Sequence, residues 1–155
     1  MSRRSSKSAA RSAAKPSARS AAAASPVASS TSPCPCGLPA PYGECCGRLH
    51  RGEAVATTAE ALMRSRFSAF AVRDEAYLLR SWHPDTRPAR LDLDARLRWV
   101  RLEILATSDG GPFHSEGTVR FRAHYAEGRE EGVMEELSRF VRVDGAWVYL
   151  DGVVD

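Results

Sequence analysis

All four cysteines of this 155-residue chain fall within one stretch, PCPCGLPAPYGECCG, residues 33–47. The order is Cys34-Pro35-Cys36, eight residues, then Cys45-Cys46. Whatever these thiols do, they do together, and that restricts the local fold more than any other feature. Disulfides are resisted by geometry, because neither Cys-x-Cys nor adjacent Cys-Cys closes a relaxed loop. They are also rare in a reducing cytoplasm, the compartment to which the rest of the sequence points. A redox pair would show Cys-x-x-Cys at a helix start, and that spacing is absent. A closed tetrahedral set of thiolates around one zinc ion fits better. The spacer GLPAPYGE has two glycines and two prolines, suited to a tight reversal that brings the pairs together. If residues 45–50 begin a helical turn, the neighbouring cysteine side chains diverge by about 100° and both reach one ion. Cys34, Cys36, Cys45 and Cys46 are therefore the predicted ligands of one structural Zn2+. His50, four residues after Cys46, is the rival for the fourth position, and Arg48 and Arg51 could offset the residual negative charge.

Residues 1–33 differ sharply from the rest. They are Ser, Ala, Pro and basic residues, with Met1 and Val27 the only larger apolar side chains. Such a segment buries too little apolar surface to offset the entropy of ordering it, so a disordered basic tail is expected. Six of the chain's 22 basic residues and none of its 19 acidic ones lie there, leaving the body with a net charge of −3. A folded nucleic-acid footprint needs a basic patch, which the body lacks, so no specific nucleic acid is expected. The tail's longest apolar run, Ala21–Ala24, is too short for a secretory signal. No stretch approaches the roughly 20 apolar residues of a membrane span. The expectation is a soluble cytoplasmic protein.

In the body, Thr57-x-x-Glu60 has the form of a capping box. Ala59, Leu62, Met63, Phe67 and Phe70 then recur at helical spacing to about Val72, with Arg64, Arg66 and Arg73 off that stripe. Asp74 caps a second short helix carrying Tyr77, Leu78 and Trp82, ended by His83-Pro84 because proline disfavours helical geometry before it. Beyond it the pattern has period two. Val100, Leu102, Ile104 and Ala106 alternate with Arg101, Glu103 and Leu105, and Val119, Phe121, Ala123 and Tyr125 alternate more cleanly with Arg120, Arg122 and His124. Gly128 centres one turn, and Asp144-Gly145 is a hairpin signal between VMEELSRFVRV and AWVYLDGVV. Helices followed by an antiparallel meander predict an α+β domain.

The cysteine pattern, Cys-Pro-Cys-Gly, eight residues after the second cysteine, then Cys-Cys-Gly, resembles the SEC-C zinc motif of the preprotein translocase ATPase. Residues 58–88, TAEALMRSRFSAFAVRDEAYLLRSWHPDTRP, and the ending SRFVRVDGAWVYLDG are similar to the YchJ-like family of small bacterial proteins. The resemblance implies a SEC-C-type zinc knuckle over residues 34–52 and a nuclear-transport-factor-like domain over 53–155, with helices packed on a curved antiparallel sheet in a cystatin-like cone. Gly37-Leu38-Pro39 stands where the motif commonly has Gly-Ser-Gly, and Glu135-Glu136 where the family often has His before Glu.

Such a cone can hold a pocket, and Arg66, Tyr77, Trp82, His83, Arg87, Glu136 and Ser138 are the candidates to line it around an unknown small ligand. Arg66 and Glu136 are equally candidates for a buried structural ion pair. By analogy with the translocase module, the knuckle is expected to bind a protein partner from the chaperone, translation or export machinery. The alternative is a small-molecule enzyme of isomerase, dehydratase or hydrolase type, with His83 beside Asp85 or Glu136. No nucleophile motif, phosphate loop or cofactor fingerprint supports catalysis.

Overall fold

The computed structural model describes residues 29–155. Residues 1–28, most of the predicted tail, lie outside the described residues. Residues 29–33 join the knuckle: the carbonyls of Ser30 and Ser32 accept from the N–H groups of Gly43 (2.9 Å) and Tyr42 (2.8 Å).

Three helices precede four strands: α1 (Cys46–His50), α2 (Ala59–Val72) and α3 (Glu75–Arg80), then β1 (Leu97–Asp109), β2 (Glu116–Glu127), β3 (Glu130–Val143) and β4 (Ala146–Val154). The strands form one antiparallel sheet in the order β1-β2-β3-β4. At the β3–β4 turn, Asp144 (φ 53°) and Gly145 (φ 85°) both take positive φ, as a two-residue turn matched to strand twist requires.

The sheet curves because its strands are bulged, and the bulges revise the predicted alternation. Val100 and Leu105 are extra residues opposite β2. An extra residue bends a strand and shifts the side chains that follow to the other face. Trp99, Leu102 and Ile104 therefore face α2, while Val100, expected on the apolar face, is 57% exposed. On β4 the extra residue is Leu150, between the Phe140–Tyr149 and Arg139–Asp151 pairs. It places Tyr149 and Gly152 on the inner side, and Asp151 in a bidentate ion pair with Arg139 (2.7 Å) on the outer side.

Helix α2 lies on the concave face. Ala59, Leu62, Met63 and Phe67 pack with Leu102, Val119, Phe121, Ala123, Phe140 and Trp147. Its cap is Thr58, one residue later than the capping box predicts: the Thr58 hydroxyl accepts from the Ala61 N–H (3.0 Å), and Glu60 pairs with Arg64 instead (3.0 Å). The helix is buried on more than one face, which the single stripe did not anticipate. Ala69 and Phe70 pack with Tyr77, Leu78 and Leu91 in a second cluster. Arg66, placed off the stripe by periodicity, is only 3% exposed.

Helix α3 begins as expected, with Asp74 accepting from the Tyr77 N–H (3.0 Å). It ends at Arg80, before Trp82. Residues 81–83 leave the helix to run along β4, exchanging backbone bonds Tyr149 N–H to Ser81 O (2.9 Å) and His83 N–H to Tyr149 O (2.8 Å). This short parallel bridge delivers Trp82 to the inner side of the sheet edge.

Candidate metal centre and the polar core beside it

Pro33 pairs with Pro41, and the Cys34 N–H donates to Ala40 O (3.1 Å), so the prolines and glycines of the spacer close a small hairpin. A tight turn at Tyr42–Glu44 then leads into α1, whose first residue is Cys46. The hairpin supplies Cys34 and Cys36, and the helix start supplies Cys45 and Cys46. All four are free thiols, and their sulfurs lie within 4.8 Å of one another. A tetrahedral site with metal–sulfur bonds of about 2.3 Å requires sulfurs about 3.8 Å apart. The Cys36 and Cys45 sulfurs are 3.7 Å apart.

The electrostatics of the cluster favour a cation. Hydrogen bonds from Cys36 and Cys46 hold the Cys34 thiol far below its ordinary value, while the hydrogen bonds to Cys34 and Cys36 push Cys46 far up. Burial, then the charge of Cys36, pushes Cys45 up to about 12. Four crowded thiols share protons because they cannot all ionise together, and a divalent ion replaces those protons.

His50 is committed elsewhere. Its Nε2–H donates to Ser65 O (2.9 Å), and Nδ1 accepts from the Tyr42 hydroxyl (2.6 Å). Both ring nitrogens are used, so His50 offers the cluster no free ligand atom. The bonds run from the knuckle to α2, and others join them. Cys34 Sγ lies 3.6 Å from Ser68 Oγ, Arg64 donates to Cys36 O (2.8 Å), and Arg80 donates to His50 O (2.7 Å). Arg51, expected to offset thiolate charge, instead binds Glu53 (2.7 Å) and Gly43 O (2.9 Å). Ser65 Oγ, donating to Leu62 O, accepts from the Tyr77 hydroxyl (2.7 Å). Ser65 and Ser68, three apart on α2, were the overlooked sign of a second contact face. His50→Phe should therefore destabilise the protein by about 2 kcal/mol, since it leaves the Tyr42 hydroxyl without a partner and takes from Ser65 O the bond it accepts beyond the helix. Metal content by elemental analysis should stay unchanged; its loss would make His50 a ligand.

The candidate pocket residues divide. Arg66, Trp82, Glu136 and Ser138 gather about Tyr149, which the sequence analysis did not single out although it alternates with Trp147. The Arg66 guanidinium lies over the rings of Trp82 (4.9 Å) and Tyr149 (4.6 Å), and its Nη1 donates to Leu78 O (2.8 Å) and Ser81 Oγ (2.7 Å). Glu136 Oε2 accepts from Ser138 (2.7 Å) and from the Tyr149 hydroxyl (3.1 Å). Burial raises the Glu136 carboxyl above its ordinary value. The considered Arg66–Glu136 ion pair does not form, because the Tyr149 side chain contacts both residues and Glu136 bonds to its hydroxyl. Tyr77 belongs to the knuckle side, tilted against the His50 ring with centroids 4.6 Å apart and lying under Arg80. His83 Nδ1 accepts from the Asp85 N–H in its own loop (3.0 Å), and Arg87 is exposed. Glu135 faces outward, to Arg120 and Arg122 (both 3.2 Å).

The family model described as YchJ, middle NTF2-like domain, matches residues 58–152. A UPF0225 protein of Streptomyces coelicolor is 62% identical over 79% of this chain and 95% of its own length. The chain belongs to the UPF0225, YchJ-like family. A UPF0225 protein of Xanthomonas oryzae is 50% identical over 81% of this chain and 98% of its own. Among solved structures, a SEC-C motif containing protein from Rhodopseudomonas palustris is similar with a TM-score of 0.68 and 34% identity, over 79% of this chain and 98% of that one. A SEC-C motif containing protein from Psychrobacter arcticus has a TM-score of 0.65 and 28% identity, over 79% and 82%. The family model thus covers the α+β domain, while the cysteine knuckle at residues 34–46 lies N-terminal to the residues it matches. Among the described residues, no helix is long and apolar enough to cross a membrane.

Proposed function

We propose that this YchJ-like protein is an interaction module in which a structural zinc knuckle, carried rigidly on the α+β domain, presents a docking surface to a protein partner. The supporting observation is the closed set of four sulfurs, with His50 turned away. Zinc held by Cys34, Cys36, Cys45 and Cys46 would tie the hairpin to α1 and keep no open position for chemistry. Soft thiolates in a tetrahedral set suit zinc. One side of the knuckle is anchored through Arg64, Ser68 and Arg80, while Leu38 (43% exposed) and Arg48 remain outside. The partner class is chaperone, translation or export machinery, by analogy with the translocase SEC-C module; that is a fold-level analogy.

A Leu38→Ala/Arg48→Glu double variant tests the surface without touching a thiol. In affinity capture with the full chain, ribosomal or chaperone components recovered by wild type should fall at least tenfold, with zinc content and Tm preserved. Equal recovery by both proteins would refute a knuckle-borne docking surface.

A further inference from the structure

We propose that the corner formed by Arg66 and Trp82 on the inner side of the sheet is a binding site for the carboxylate of a small organic acid. The site is separate from the knuckle and does not depend on the metal.

A buried cation normally has a counter-ion, because desolvating an isolated charge is very unfavourable. Arg66 is buried, yet it forms no ion pair among the described residues, and its hydrogen bonds run only through Nη1. The rings of Trp82 and Tyr149 offset part of the desolvation. A ring face cannot satisfy the in-plane N–H groups of Nε and Nη2, which have no partner among the described residues. That edge is the fork that binds a carboxylate in bidentate fashion.

A second observation converges on the same corner. Among the described residues, Trp82 Nε1 is the one buried side-chain nitrogen or oxygen without a hydrogen-bond partner. A buried orphan donor is destabilising, and native structures rarely retain one without a reason. Its ring is the same one that the Arg66 guanidinium covers. Arg66 Nε and Nη2 lack partners too, and Arg66 as a whole keeps 3% exposure.

The chemistry of the walls selects the ligand. Glu136, across Tyr149, is the one carboxyl in this polar cluster, and burial favours its neutral form, which weakens it as an internal counter-charge. One guanidinium then accommodates one negative charge. A dianionic phosphate would leave a charge unmatched among aromatic walls, whereas a monocarboxylate would not. Trp82 and Tyr149 meet edge to face with centroids 5.2 Å apart, and this aromatic pair is the neighbour that the apolar body of such an acid would contact.

The test titrates isotope-labelled full-length protein with acetate, benzoate, benzamide and inorganic phosphate, following the Trp82 indole and Arg66 Nε–H NMR signals. Trp82→Phe assigns the indole among the three tryptophans. Both carboxylates should shift these two signals saturably, benzoate at least tenfold more tightly than benzamide or phosphate. Arg66→Gln should abolish the response; should that variant not fold, Trp82→Phe, which removes the indole donor and shrinks the ring beneath Arg66, should weaken benzoate at least threefold at the Arg66 Nε–H signal. Absence of a saturable shift with either carboxylate, or an equal response to benzamide, would overturn the proposal. Tighter binding of phosphate would overturn the carboxylate assignment.

Discussion

Cys36→Ala is expected to reduce bound zinc from one per chain to none and to destabilise the protein by on the order of 4 kcal/mol. Cys36 is fully buried, at 0% exposure, and its sulfur sits at van der Waals distance from that of Cys45. Its removal leaves three thiols that cannot close a tetrahedral shell, and His50 cannot substitute while Ser65 O and Tyr42 hold both its nitrogens. The hairpin and α1 would then lose their cross-link, and with it the contacts to α2. The core between α2 and the sheet is built from other residues, so the α+β domain should survive with its strands intact. Elemental analysis with thiol titration before and after denaturation checks the first half, and thermal melting the second. Wild-type protein yielding one zinc and four thiols reactive only after metal release would agree with this expectation. Metal-free wild type with four reactive thiols, or a Cys36→Ala variant that keeps zinc and melts like wild type, would defeat the zinc assignment.

What could be seen in advance followed the range of the interactions. The cysteine cluster was legible because its spacing is local: four thiols in fifteen residues must meet, whatever the rest does. Asp74, Asp144-Gly145 and the Val119–Ala123 alternation were legible for the same reason, since a cap, a turn and a strand each declare themselves within a few residues. Of the inner polar core, the pattern offered Arg66, Trp82, Glu136 and Ser138 as candidates, but neither the burial of Arg66 nor the central place of Tyr149. Arg66 falls off the apolar stripe of α2, and only the packing of residues 78–82 and 149 around it buries the charge. Val100, Leu105 and Leu150 look like ordinary strand residues, yet each is an unpaired insertion set by its partner strand. The Leu150 bulge decides that Gly152, rather than Asp151, lies beside Glu136. Tyr149 escaped notice because its role depends on the β4 edge meeting the 81–83 segment, a contact across more than sixty residues of chain.

Gly152→Ala should destabilise the protein by about 3 kcal/mol and lower Tm by about 10 °C. A methyl group built on Gly152 would collide with Oε2 of Glu136, and would also meet the carboxyl carbon at 2.7 Å. Glu136 cannot yield cheaply, because that same oxygen accepts from Ser138 and Tyr149 in a buried site. Displacing it leaves two hydroxyls unsatisfied at roughly 1–3 kcal/mol each if neither is rescued, while backbone adjustment around the Leu150 bulge relieves part of the overlap. The neighbouring Val153, 66% exposed on the outer side, supplies the control: Val153→Ala should stay within about 0.5 kcal/mol of wild type. The Gly152→Ala/Glu136→Ala pair then isolates the cause. If the clash dominates, truncating Glu136 removes it, and the double variant is more stable than the sum of the two single losses implies. A strictly additive double variant, or a Gly152→Ala protein as stable as Val153→Ala, would mean that Glu136 is not fixed against the β4 backbone. In that case the ordered carboxyl–hydroxyl cluster around Tyr149, which keeps Glu136 apart from Arg66, would lose its physical basis.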